Sequence, residues 1–214
     1  MNILLREIEK GVKILQKGGV IAFPTDTVYG LGADAFNATA VERIYEIKNR
    51  SRHQQLPLLI ADVKQLTALA NPIPEIAWFL TRHFWPGGLT LVLTKSDSVP
   101  AHLAPGLTIA VRIPNHHVCL ALIQHLGNPI IGTSANISGQ SPALTADEVR
   151  QQLAGKIDFA LNGGKCPGSK ESTVVDITHD TPAILRQGII SSYEIDKVYK
   201  EYLELKSEAH RYRL

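Results

Sequence analysis

Short apolar runs alternate with helix-period segments along almost the whole chain, and this alternation most constrains its fold. Leu4, Leu5, Ile8, Val12 and Leu15 recur at helical spacing over residues 3–17, and Gly18-Gly19 supplies a stop. The run Val20-Ile21-Ala22-Phe23 reads as a strand, after which Asn37 caps a helix to about Lys48 with Val41, Ile44 and Tyr45 inward. Asp62 caps a short helix to about Ala70, and Pro74 suits the first turn of another, ending near Phe84. Strand patterns at 89–94, 108–113 and 129–132 follow, with a helix over 116–126 between the last two. The capping box Thr145-Ala146-Asp147-Glu148 opens a helix to about Leu153. Strand-like runs near 158–161, 172–177 and 183–186 precede a final helix over 193–205. There is no repeat, low-complexity tract or linker, so the pattern predicts one α/β (α+β) domain over residues 1–205 and a polar, basic tail at 206–214.

Composition narrows the function classes. The 214 residues are 44% hydrophobic and 20% charged, enough apolar material for a real core. A net charge of +2 does not by itself argue for nucleic acid, and 6% aromatics limits base-stacking platforms. No apolar run approaches the ~18 residues of a membrane span, and no charged-then-apolar leader opens the chain, so the expected location is cytoplasmic, without membrane contact. The two cysteines fit a reducing compartment: Cys119 sits in an apolar helical segment and reads as buried, whereas the Gly/Pro/Lys setting of Cys166 suits an exposed loop.

The stretch Phe23-Pro24-Thr25-Asp26-Thr27-Val28-Tyr29-Gly30-Leu31-Gly32 reads as a shaped polar loop at the end of a buried strand, where α/β proteins bind ligands. Its glycines begin a relaxed dinucleotide pattern. They start seven residues after Phe23, however, and no acid-ended strand follows at the required distance, so that fingerprint is rejected. The glycines of Gly163 to Lys170 have phosphate-loop spacing but lack its Lys-Ser/Thr ending and its strand–helix context. No Cys, His or carboxylate grouping has metal-ligand spacing.

Polar residues at strand ends are more informative. Thr133, Ser134 and Asn136 form either a self-satisfied turn or a set of donors at a strand mouth. Lys48 and Arg50 share a spacing of two where a helix gives way to extended chain, as solvated charge or as ligand contacts. Arg112 and Arg186 each end an apolar strand, facing either an acidic partner or a ligand, and Ser172-Thr173 make another polar strand entrance. Taken together these are cations and neutral donors without a nucleophile–base pair. Such a set suits a multiply anionic ligand and catalysis by positioning and charge neutralisation.

The ordered segments 23–32, Lys48-Asn49-Arg50, Ser134-Ala135-Asn136-Ile137-Ser138-Gly139, Glu171-Ser172-Thr173-Val174-Val175-Asp176 and Ile184-Leu185-Arg186 resemble the YrdC family of threonylcarbamoyl-AMP synthases, from about residue 10 to 190. The resemblance implies a twisted mixed sheet flanked by helices with a basic concave cavity. It also implies that L-threonine, bicarbonate and ATP give threonylcarbamoyl-adenylate and pyrophosphate, a nucleotidyltransferase reaction, with other proteins passing the group to tRNA. It assigns catalysis to Lys48 and Arg50, and ATP to Lys48, Arg50, Gln54, Thr108, Gly132, Asn136, Pro142 and Arg186. Threonine would fall to Thr27, Arg112, Ser134 and Ser172, and Mg2+ would arrive with ATP without a protein cage or an organic cofactor. Binding of tRNA or double-stranded RNA is the further partner it suggests. The chain departs from the family pattern at Ser51-Arg52-His53-Gln54-Gln55, at Leu59, where longer relatives carry a histidine, and at Gln187, where proline is common. Competing readings are a non-catalytic RNA-binding module, a carbamoyl-adenylate enzyme for metal-centre maturation, and an inactive paralogue.

Overall fold

A computed structural model of the chain describes residues 3–104, 106–168 and 170–211. In chain order the elements are α1 (Ile3–Gln16), β1 (Ile21–Phe23), β2 (Gly30–Asp34), α2 (Ala38–Lys48), β3 (Leu58–Leu59), a 3-10 turn (Val63–Gln65), α3 (Leu66–Leu69) and α4 (Glu75–Phe84). There follow β4 (Leu89–Thr94), β5 (Thr108–Arg112), α5 (His117–Leu126), β6 (Ile130–Ser134), α6 (Ala146–Gln152), β7 (Phe159–Ala160), β8 (Thr173–Asp176), β9 (Ala183–Arg186) and α7 (Ser192–Arg211). The nine strands form one mixed sheet in the order β7-β1-β2-β6-β3-β5-β4-β8-β9.

Alternation along the strands sorts side chains into two layers. Val20, Ala22, Leu58, Leu91, Leu93, Ile109, Val111 and Ile131 join one large core with Val41 and Ile44 of α2, Leu80 of α4 and Val198 of α7. Their neighbours Ile21, Phe23, Leu59 and Ile130 face the other way, packing with Ile8, Val12 and Leu15 of α1 and Val118, Leu122 and Ile123 of α5. On this second face the α1–α5 pair covers only part of the sheet. Thr90, Val92, Thr108, Ala110, Arg112, Val174 and Asp176 instead line an open cavity. The pairings Leu59↔Arg112, Val92↔Ala110, Thr90↔Val174 and Val92↔Asp176 keep these residues on one side of the sheet.

Three sequence expectations are corrected. The loop after β1 is shorter than 23–32, because Gly30-Leu31-Gly32-Ala33-Asp34 is a strand paired with both β1 and β6. Its glycines are there for packing and not for a turn. A Cβ on Gly32 would lie 2.6 Å from Ile130 Cγ2 and 2.8 Å from Phe23 Cε1, and one on Gly30 would lie 3.1 Å from Phe23 Cε2. The Phe23 ring occupies the space those side chains would need. Cys166 is buried, not exposed, with its backbone N–H bonded to the Leu144 carbonyl, and burial pushes its thiol up to about 11. The last helix continues past 205 to Arg211, so residues 206–211 of the expected tail are helical. Residues 212–214, and Ser169 within the Gly163–Lys170 run, lie outside the described residues. Among the described residues no helix is long and apolar enough to cross a membrane.

Candidate active site

The cavity holds about 480 Å³, a volume suited to small ligands. Its cations are Arg50, Arg112 and Arg186, its carboxylates are Glu171 and Asp176, and the remaining polar lining is largely hydroxyl and amide.

Arg112 ends β5 and is 6% exposed. Its Nε donates to the Gly87 carbonyl at 2.8 Å, Nη1 to Thr27 Oγ1 at 3.2 Å, and Nη2 to Asp26 Oδ1 at 2.7 Å. Asp26 Oδ1 also accepts from the Asn115 backbone N–H at 3.0 Å, joining the β1–β2 loop to the approach to α5. Thr25 and Thr27 are both buried, and their hydroxyl directions follow from proton counting. Thr25 Oγ1 donates to the Val28 carbonyl at 2.7 Å, so its contact with Thr27 Oγ1 at 3.0 Å must be donated by Thr27. With that proton spent, and one lone pair taken by Arg112, Thr27 faces the cavity as an acceptor.

A second polar group lies around β8 and β9. Arg186 Nη1 pairs with Glu171 Oε2 at 2.8 Å, and its Nη2 reaches Ser172 Oγ at 3.0 Å. Ser172 Oγ lies 2.9 Å from Thr90 Oγ1. Arg112 and Arg186 therefore do both things that the sequence left open: each has an acidic partner, and each lines the cavity. Arg50 is less well served. One terminal nitrogen donates to the Gln55 carbonyl at 3.2 Å, while its Nε is buried without a protein partner. Burial holds its pKa below the usual arginine value, Tyr45 opposing and the like charge of Arg186 adding to the effect.

Lys48 and Arg50 diverge although only one residue separates them. Asn49 caps α2 in the left-handed region (φ 44°), which turns the chain between them. Arg50 reaches the cavity. Lys48 is instead 5% exposed, and its Nζ donates to the Ser134 carbonyl at 2.8 Å, the Asn136 carbonyl at 2.7 Å and Asn136 Oδ1 at 2.8 Å. All three ammonium protons are thus engaged by the segment after β6. Burial pushes Lys48 down to about 8, with Glu171 opposing and Arg50 adding to the effect. Asn136 uses its amide on the Ile137 and Gln140 carbonyls, at 3.1 and 2.6 Å, and Ser138 Oγ closes onto the Lys48 carbonyl.

Of the residues singled out from the sequence, Thr27, Arg50, Thr108, Arg112, Gly132, Ser134, Ser172 and Arg186 line this one cavity. Lys48, Gln54, Asn136 and Pro142 are not among its lining residues. Lys48 and Asn136 lie behind Ser134, Gln54 is exposed, and its neighbour Gln55 faces the cavity, donating to the Thr108 carbonyl at 3.0 Å. Asp26 and Gln55 stood in segments singled out from the sequence but were assigned no role there, and Thr90 was assigned none either. Thr90 carried a signal, since Thr90 and Val92 share a face opposite Leu89, Leu91 and Leu93. Asp26 carried none beyond lying between two threonines.

The family model described as "Telomere recombination", for Sua5, YciO and YrdC proteins, matches residues 13–188. The chain belongs to the Sua5/YciO/YrdC family. A threonylcarbamoyl-AMP synthase of Pyrococcus abyssi is 46% identical over 188 residues, which is 87% of this chain and 55% of that protein. The crystal structure of Pyrococcus abyssi Sua5 complexed with L-threonine superposes with a TM-score of 0.86 at 44% identity, covering 89% of this chain and 56% of that one. Escherichia coli YciO, named as uncharacterised, gives a TM-score of 0.81 at 32% identity, covering 88% of this chain and 92% of that one. The chain spans about half the length of the threonylcarbamoyl-AMP synthases of Pyrococcus abyssi and Bacillus subtilis. It spans 89% of a Mycobacterium tuberculosis protein named putative threonylcarbamoyl-AMP synthase, at 36% identity. Among the described residues no group of three or more His, Cys, Asp or Glu gathers as a metal site.

Proposed function

We propose that this Sua5/YciO/YrdC-family protein is an L-threonylcarbamoyladenylate synthase. Three arginines within one cavity, one of them buried beside an acceptor hydroxyl, carry the reading. The named contacts of Arg112 leave one hydrogen on each terminal nitrogen for the threonine carboxylate, while Thr27 accepts from the amine. The amine attacks the carbon of bicarbonate, and water leaves to give the carbamate. A carbamate oxygen then displaces pyrophosphate from the α-phosphate of ATP, in line, giving the mixed anhydride.

The threonine carboxylate, bicarbonate and triphosphate are all anionic groups, and offsetting their repulsion is work for Arg50 and Arg186, whose guanidinium groups suit phosphate oxygens. Lys48 holds the segment that carries Ser134 and Asn136. Mg2+ bound to ATP supplies further charge neutralisation. Glu171 and Asp176, the cavity carboxylates, have the oxygen chemistry to complete its coordination shell beside the phosphates and water. Transfer of the group to tRNA by other proteins completes the proposal.

The decisive measurement is pyrophosphate release from ATP with L-threonine and bicarbonate each omitted in turn. Release should depend on both. Release indifferent to threonine overturns the assignment.

A further inference from the structure

We infer that Asp26 is a positioning residue that presents Arg112 to the carboxylate of the amino-acid substrate as an end-on fork, an inference that rests on the function proposed above. A guanidinium binds a carboxylate bidentately in two ways: side-on, through Nε and one terminal nitrogen, or end-on, through both terminal nitrogens. The side-on mode needs Nε, and here Nε is committed to the Gly87 carbonyl at 2.8 Å. Asp26 takes one hydrogen of Nη2 at 2.7 Å and Thr27 takes one of Nη1 at 3.2 Å. One hydrogen remains on each terminal nitrogen, the composition of the end-on fork.

Asp26 is itself held. Its side chain is 16% exposed, and the same Oδ1 that meets Arg112 accepts the Asn115 N–H at 3.0 Å. The carboxylate therefore fixes one edge of the guanidinium relative to the backbone before α5, as Gly87 fixes another relative to the start of β4. Asp26 also bears the same charge as the substrate carboxylate. A negative group beside the substrate's binding arginine weakens attraction for an anion, so what Asp26 adds to substrate binding, beyond balancing the buried guanidinium, is orientation and not attraction. The same contacts set Thr27. Arg112 takes one of its lone pairs and Thr25 its proton, leaving the acceptor face that receives the amine.

Charge and geometry are separable by substitution. Asp26→Asn keeps an oxygen for both hydrogen bonds and removes the charge, whereas Asp26→Ala removes both acceptor and charge. KM for L-threonine should rise roughly tenfold in Asp26→Ala, with KM for ATP within about twofold of wild type. In Asp26→Asn, KM for L-threonine should stay at or below the wild-type value. A second readout is stabilisation against heating by L-threonine compared with L-threonine methyl ester, which lacks the carboxylate. Wild type and Asp26→Asn should favour the acid, and Asp26→Ala should lose that preference. A general folding defect would not selectively erase it. If Asp26→Ala does not fold, Asp26→Ser carries the same test.

An unchanged KM for L-threonine in Asp26→Ala, or equal impairment in Asp26→Asn, overturns the inference while leaving the proposed reaction standing. If wild type shows no threonine-dependent pyrophosphate release but still prefers the acid over the ester, and Asp26→Ala does not, the reaction is wrong and the positioning role holds. Loss of both signals in wild type overturns both.

Discussion

Two arginines of the same cavity sit in opposite states. Arg112 is almost wholly buried yet well partnered, with its Nε and both terminal nitrogens bonded to Gly87, Thr27 and Asp26. Arg50 has one long bond to the Gln55 carbonyl and a buried Nε without a protein partner. The first is a finished piece of structure with two hydrogens left over. The second is a charge whose burial is only partly offset, and it gains most when an anion arrives. Fixed geometry suits the group that orients the amino acid, whereas unmet donors suit the group that receives phosphate oxygens.

Unfolding experiments give the widest separation between these corners. Arg112→Ala strands Asp26 without its cation in a largely buried position and should lower the unfolding free energy by about 3 kcal/mol in urea titrations. Arg50→Ala removes an incompletely satisfied cation and should change it by less than about 0.5 kcal/mol, or raise it, while weakening ATP binding roughly tenfold or more. Equal losses of stability would erase the distinction.

Lys48 tests the comparison from a third position, since it is both desolvated and fully bonded. Its pKa in the folded protein, about 8, lies below its ordinary value of 10.5, so between those limits the unfolded chain binds more protons. Folding stability contributed through this group is therefore lowest below pH 8 and rises as pH climbs towards 10.5, by at most about 3 kcal/mol. Measured against Lys48→Met, wild type should gain stability across that window. A constant difference would mean that the three carbonyl contacts fully offset burial.

The smallest expected effect separates neighbours. Gln55→Ala removes a cavity amide and the bond to Thr108, and should raise KM for ATP roughly threefold. Gln54→Ala, at an exposed position off the cavity wall, should leave it within about twofold. The reverse order would return the nucleotide contact to Gln54.

Local rules accounted for most of the elements. The spacing of Ile8, Val12 and Leu15, the Asn37 and Thr145 caps and the alternation in Thr108-Ile109-Ala110-Val111-Arg112 all act within a few residues, and each predicted element formed. The failure at Gly30–Asp34 shows where such rules stop. Two glycines lower strand propensity, yet the segment pairs on both sides because Phe23 and Ile130 fill the space above it. The polar strand ends were also visible, and with them Arg112, Arg186, Ser134 and Ser172. Which cations share a cavity was not. Lys48 and Arg50 look equivalent in sequence, and a single left-handed residue sends one onto the segment at the end of β6 and the other into the cavity. Asp26 and Arg112 lie 86 positions apart, so no local pattern could pair them. The sequence alone determined most of the strands and helices and the kinds of charge at their ends. Tertiary structure decided which charges meet, because contact across a sheet depends on strand order and on what each buried donor finds opposite it.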